Sequence, residues 1–275
     1  MSGGAVDTTG GGAVGTTGGG AVGTTGGDAV GTTGGDAVGT ARANGAAERP
    51  GNARRIQRGY DSWARLYDWF ARATASFGGV RAGCVEMLDL DPGDTVVEFG
   101  CGPGVNIPAL REAVGPGGRV VGIDISEGML GRARALVDRR GWENVSLVRA
   151  DAATPPVRAV DGVLATFVTS LFADPYAVVR EWCGLTDSVV VAAFAPHGSR
   201  PANAALGAFA RLNGRLFDLR SSDPLERLAD RTAEAKRALD DQMPVVRGER
   251  YLFGTITMYA GRDEQRRSAD AERNV

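Results

Sequence analysis

The stretch Val96–Val105, "VVEFGCGPGV", restricts the fold more than any other part of this sequence. Its apolar run is broken by one acid, Glu98, and is followed by glycines at 100, 102 and 104. An apolar run of this kind reads as a buried strand, and alternate glycines free the following turn to take positive φ angles and bring other groups against bare backbone. A carboxylate at the end of a buried strand beside such a turn is a costly placement that calls for a partner.

The segments after this turn alternate in type. "RVVGIDIS" reads as a strand, "EGMLGRARALVDRR" as a helix stopped by Gly141, "VSLVRA" and "VDGVLATFV" as strands, "PYAVVREWCGL" as a helix and "SVVVAAFA" as a strand. The segment 105–114 reads as a helix because Pro108 falls in its first turn, where proline is tolerated. Two further helical stretches, 203–219 and 224–240, precede a closing pair, "VVRGERYL" and "GTITMYAG". Only Phe253 separates that pair, so its strands are expected to run antiparallel. Strands separated by helices run parallel and are covered on both faces. The expectation is an α/β fold: a doubly wound, mostly parallel seven-stranded sheet with helices on both faces and an antiparallel last hairpin.

The rest of the chain sets its limits. From Gly3 to Arg42 a unit of the type GGAVGTTG recurs five times, and each copy offers one Val and one Ala to a core. That is too little apolar surface to offset the entropy of ordering so many glycines. The expected organisation is a flexible repeat tail over 1–52, one α/β domain over 53–262 and a charged, flexible tail over 263–275. No basic, apolar leader and no apolar run of spanning length is present, and Cys84, Cys101 and Cys183 are too few and scattered for a disulfide framework or metal site. A soluble, cytoplasmic protein is expected. A net charge of -2, with no basic stripe, argues against a nucleic-acid partner.

In a sheet of this class the ligand sits outside the carboxyl ends of the strands, and the helix N-terminus around Val105 and Asn106 favours an anionic group there. The dinucleotide fingerprint G-x-G-x-x-G would need glycine at 105, where Val105 stands. A nicotinamide-dependent oxidoreductase is therefore the alternative rather than the first reading. A non-catalytic protein that keeps the fold is the other alternative.

"EFGCGPG" resembles the first motif of the class I methyltransferases that use S-adenosylmethionine, and the resemblance extends over most of 60–262. It implies that Glu98 lies near the methionyl amine and that Asp124, at the end of "VVGIDIS", accepts both ribose hydroxyls. It implies that Asp151 and Ala152 meet the adenine amino edge while Ile125 and Met129 flank the ring. Thr166 and Phe167 then lie near the methyl group. Asp124 and Asp151 also have a plainer reading, as caps of the next helix or turn.

Within that superfamily, "YDSWARLYDWF" and "RYLFGTITMYAGR" resemble the quinone C-methyltransferases and bacterial-type phospholipid N-methyltransferases. Tyr60, Trp63, Leu66, Tyr67 and Phe70 fall at three-and-four spacing on one face of a helix; the resemblance implies that this helix covers the cofactor, with Tyr67 and Tyr60 as lid residues, and packing of the aromatic face on the sheet is the plain alternative. It also implies a small or lipid-like acceptor such as a quinone precursor, and leaves peripheral membrane contact open. Methyl transfer from a sulfonium needs alignment more than a dedicated catalyst. Where a base is needed, the sole histidine, His197 in "FAPHGSR", is the candidate, with a solvated loop histidine as the plain alternative.

Overall fold

The computed structural model describes residues 79–216 and 223–273. The repeat tail and the aromatic segment with Tyr60 and Tyr67 lie outside the described residues. The order of elements is α1 (Val80–Leu88), β1 (Thr95–Phe99), α2 (Ile107–Val114), β2 (Arg119–Asp124), α3 (Glu127–Arg140), β3 (Val145–Arg149) and β4 (Gly162–Thr166). It continues with α4 (Pro175–Cys183), β5 (Ser188–Phe194), α5 (Arg200–Leu216), α6 (Pro224–Gln242), β6 (Val245–Tyr251), β7 (Ile256–Arg262) and α7 (Glu264–Arg273).

The seven strands form one sheet in the order β3-β2-β1-β4-β5-β7-β6. The first five are parallel, and β7 runs antiparallel to both β5 and β6. This is the expected doubly wound sheet with an antiparallel closing hairpin. β1 and β4 are central, so the order reverses between them, and the carboxyl ends of β1, β2 and β4 converge at one edge of the molecule.

Side-chain alternation sorts the core into two layers. Val97, Phe99, Val163, Ala165, Val189 and Val191 pack with Val179 and Trp182 of α4 and Ala235 and Leu239 of α6. Val96, Leu164, Val190 and Ala192 pack on the other face with Val80, Cys84 and Leu88 of α1 and Leu110 and Val114 of α2. The period of two therefore assigns Glu98 to the face that α1 and α2 cover. β3 and β6 are edge strands and carry exposed residues, so the expectation of strands covered on both faces holds only for the centre of the sheet.

Local signals explain most boundaries. Ser126 caps α3, its Oγ accepting from the Met129 N–H at 3.3 Å, and Gly141 ends that helix in the left-handed region. Asp223 caps α6 by accepting from the N–H groups of Leu225 and Glu226. The expected helix at 105–114 begins two residues later, at Ile107, because Gly104 is still in a left-handed turn (φ +81). The sequence reading assigned no element to α1, although its buried Val80, Cys84, Val85 and Leu88 follow helical spacing.

The expected flexible tail over 263–275 needs correction, since α7 occupies Glu264–Arg273. Arg266 donates to the carbonyls of Cys183 (3.3 Å), Gly184 (3.1 Å) and Thr186 (3.4 Å), which are left open where α4 ends. Arg267 donates to the Asp89 carbonyl at 3.0 Å and pairs with Asp91. A charged segment reads as solvated in sequence, but these charges meet backbone acceptors and acids contributed by distant parts of the chain.

Truncation after Asp263 is expected to destabilise the domain by about 1–3 kcal/mol, the scale of a few lost charge-assisted hydrogen bonds. Thermal unfolding should show a fall in midpoint of several degrees. An unchanged midpoint would show that α7 contributes nothing to the fold.

Candidate active site

The glycine turn after β1 hangs on the end of β2. The N–H groups of Gly100 and Cys101 donate to the Ile123 carbonyl at 2.8 and 3.1 Å. Gly102 donates its N–H to Asp124 Oδ2 at 2.9 Å, while Asp124 Oδ1 accepts from the Ser126 N–H at 2.8 Å. The three glycines all have positive φ: +67 at 100, +54 at 102 and +81 at 104. At two of them the missing Cβ makes room for the protein itself. A Cβ on Gly100 would lie 2.8 Å from Val168, and one on Gly104 would lie 2.9 Å from Ile107. The turn is thus shaped by its own close packing as well as by its backbone angles.

Glu98 is buried, with 1% of its surface exposed. Its Oε1 accepts from Asn106 Nδ2 at 2.5 Å, and its Oε2 is buried without a hydrogen-bond partner. Asn106 Nδ2 also donates to Thr166 Oγ1 at 3.1 Å, and Asn106 Oδ1 accepts from Arg81 Nη1 at 2.8 Å. Since arginine only donates, the amide carbonyl must face Arg81 and the amide nitrogen must face the acid. Asn106 therefore joins α1, β1 and β4. Burial raises the carboxyl of Glu98 to about 8, an upward push that the Asn106 hydrogen bond and the Arg81 charge oppose and the Asp124 charge reinforces.

Beyond Thr166 the chain carries a row of aromatic rings. Phe167 has φ +62, an unfavourable region for a bulky residue, and its N–H donates to the Ala192 carbonyl at 2.7 Å. Its ring stacks on Phe194 at 4.6 Å between centroids, and Phe194 meets Phe209 of α5 at 5.5 Å. The Arg81 guanidinium lies 5.7 Å from the centroid of the Phe167 ring. All three rings are half-buried and stand at the carboxyl ends of β4 and β5 or on the helix that follows.

The other expected site residues are distributed around this centre. Ile125 is half-buried, its carbonyl accepting from Arg149 Nε at 3.3 Å, and Met129 is buried under the first turn of α3. Asp151 follows β3, and its Oδ1 accepts from the Ala153 N–H at 2.9 Å, which gives it the turn-forming role of the plainer reading. The Ala152 carbonyl accepts from Trp182 Nε1 at 2.8 Å, so a buried ring of α4 holds this loop in place. His197 is exposed and lies outside the Glu98–Asn106–Thr166 network. Its N–H donates to the Gly254 carbonyl at 3.0 Å, and Asn203 grips the same loop through the Pro196 carbonyl and the Gly198 N–H, both at 3.0 Å. Tyr67 lies outside the described residues.

Sequence reasoning missed Arg81 and Trp182. The apolar spacing of "VRAGCVEML" is enough to place a helix over 80–88, but nothing in it tells that Arg81 turns towards Asn106. Among the described residues no helix is long and apolar enough to cross a membrane.

Comparison with known proteins agrees with this arrangement. A family model described as a methyltransferase domain matches residues 96–187, from the second residue of β1 to the residue before β5. The nocamycin O-methyltransferase of Saccharothrix syringae is 36% identical over 128 residues, covering 46% of this chain and 45% of that protein. The match with the aklanonic acid methyltransferase of Streptomyces covers 48% of that relative, so the chain spans about half the length of these two. The phosphatidylethanolamine N-methyltransferase of Cereibacter sphaeroides is 30% identical over 205 residues, covering 72% of this chain and 95% of that protein. A methyltransferase from Aquifex aeolicus has the same fold, with a TM-score of 0.53 at 18% identity, covering 73% of this chain and 97% of that one. Glycine turn, strand-end acids, sheet order and near full-length similarity agree: the chain belongs to the class I S-adenosylmethionine-dependent methyltransferases.

Proposed function

We propose that this protein transfers a methyl group from S-adenosylmethionine to a small, apolar or lipid-like acceptor, such as a quinone precursor. The observation that carries the reading is the junction of two environments at Thr166. On one side stands the buried acid Glu98 with a free oxygen, and on the other the aromatic row Phe167, Phe194 and Phe209.

The residues fit the cofactor. The unpartnered Glu98 Oε2 is an acceptor for its ammonium, and Arg81, whose Nε is buried without a partner, offers a donor for its carboxylate. Gly100, Gly102, Gly104 and Asn106 form the turn and helix start beneath it. Asp124, whose oxygens accept from the Gly102 and Ser126 N–H groups, stands at the end of β2 as the carboxylate for the ribose hydroxyls. Ile125 and Met129 serve the adenine ring, Asp151 and Ala152 its amino edge, and Tyr67 the lid.

When bound, the cofactor supplies an activated methyl group on a sulfonium. The protein aligns an acceptor with it and excludes water. Phe167 and Phe194 provide a flat apolar wall for that acceptor next to Thr166. His197, at the carboxyl end of β5, is the base for an acceptor that must lose a proton. Support for a small acceptor comes from relatives named for nocamycin and aklanonic acid, and support for a lipid-like one from the relative named for phosphatidylethanolamine. The fold alone does not choose the reaction, because one neighbour with a TM-score of 0.51 is the cyclase SpnF.

Replacing Asp124 with Ala should weaken S-adenosylhomocysteine binding about ten- to a hundredfold, the effect of losing a charge-assisted acceptor. It should also lower stability by about 1–3 kcal/mol, since the Gly102 and Ser126 N–H groups lose their acceptor. Calorimetry and urea unfolding read the two effects. Unchanged affinity would remove Asp124 from the cofactor site.

Incubation with radiolabelled methyl donor and separate pools of lipid extract, small metabolites, RNA and protein should place label in the organic-soluble fractions. Label confined to RNA or protein would overturn the acceptor class and leave the family assignment standing.

A further inference from the structure

Glu98 has no route to full satisfaction in the structure as it stands. Its Oε1 is occupied by Asn106, and its Oε2 is sealed from solvent with nothing to accept from. An ionised carboxylate in that position would leave a buried negative oxygen unpaired, which is the costliest arrangement available to a side chain. A neutral acid avoids it, with the proton on Oε2. Among the described residues, few charged or titratable groups face Glu98. Arg81 approaches from α1 through Asn106 and favours the ionised form, while Asp124 at the end of β2 opposes it. Cys84 of α1 and Cys101 of the glycine turn are buried thiols that burial holds in the neutral form. Thr166 of β4 contributes no charge.

We propose that the cofactor-free protein holds Glu98 as the neutral acid, that uptake of the cofactor's ammonium expels this proton, and that the charge of Arg81, held nearby through its bond to Asn106, sets how readily it leaves. This rests on the methyltransferase reading for its ligand. In the exchange, the O–H bond of Glu98 breaks, the proton passes to buffer, and the carboxylate accepts hydrogen bonds from an ammonium that stays charged. No oxidant or further reactant is needed.

The linkage has a definite sign. The folded, cofactor-free state binds the Glu98 proton more tightly than the unfolded chain does. Its stability is therefore complete below the ordinary carboxylate range and declines as pH rises towards about 8. Cofactor affinity runs the other way. It should rise with pH through the neutral range and stop rising near about 8, where Glu98 is already ionised in the free protein and the ligand's ammonium begins to lose its own proton.

The test is calorimetric titration of the full chain with S-adenosylhomocysteine in phosphate and in Tris, whose ionisation heats differ widely. At pH 7 the two buffers should report release of most of one proton per ligand, and progressively less as pH approaches about 8. The Glu98→Gln variant should bind more weakly, with no proton release and a flat pH profile. Proton release that persists in this variant would move the proton to another group. Arg81→Met should shift the levelling-off point to higher pH, and Arg81→Lys should restore it, whereas a purely structural arginine would change affinity at every pH without moving that point. Buffer-independent heat for the unmodified protein at pH 7 would overturn the inference and leave the cofactor reading intact. Absence of any binding heat, confirmed by equilibrium dialysis with labelled ligand, would overturn both.

Discussion

The structure is organised around one buried carboxyl group. Glu98 lies at the end of the central strand β1, on the face covered by α1 and α2, and its single hydrogen bond comes from Asn106. Asn106 opens α2 but makes no side-chain cap, because its amide turns inward to Glu98, Thr166 and Arg81. A capping bond typically worth about 1 kcal/mol is thus given up in favour of a polar junction among three elements. A buried network of this kind specifies one arrangement of the strand ends, since each member has a single orientation that satisfies its neighbours.

Two open valences and one strained residue lie at this junction, while other unpartnered atoms and positive-φ residues, among them Arg231, Thr257 and Asp89, lie elsewhere. Glu98 Oε2 and Arg81 Nε lack partners, and Phe167 holds a left-handed backbone at a cost of about 1–2 kcal/mol. The surroundings keep Phe167 in place through its N–H bond to Ala192 and its stacking on Phe194. Strain of this sort persists where function requires a side chain in one position. By contrast the opposite end of the sheet is tied by ordinary means, with Arg262 bonded to the Met87 carbonyl and Arg266 closing the end of α4.

Much of this was legible in the sequence, and the exceptions have a common cause. The alternation of apolar runs with helical segments places all seven strands, because the central strands are largely apolar and Gly141 or Pro175 marks a boundary by its own backbone preference. The acid before the glycine turn and the acid ending β2 are likewise visible as chemistry at strand ends. What escapes is whatever depends on a distant partner. Arg81 reads as a surface charge until Asn106 is beside it, and α7 reads as a solvated tail until the carbonyls of Cys183 and Gly184 are within reach. Asp124 takes the plainer role foreseen for it, its oxygens accepting from the Gly102 and Ser126 N–H groups that shape the turn.

The central claim is that the cofactor occupies the carboxyl end of the sheet, bounded by the glycine turn, the end of β2 and the loop after β3. Amide hydrogen exchange with and without saturating S-adenosylhomocysteine tests it directly, residue by residue and independently of turnover. Exchange should slow at 100–106, 124–129 and 151–153 and stay unchanged in α7 and in α4. Protection confined to other segments, or no protection at saturation, would contradict the account.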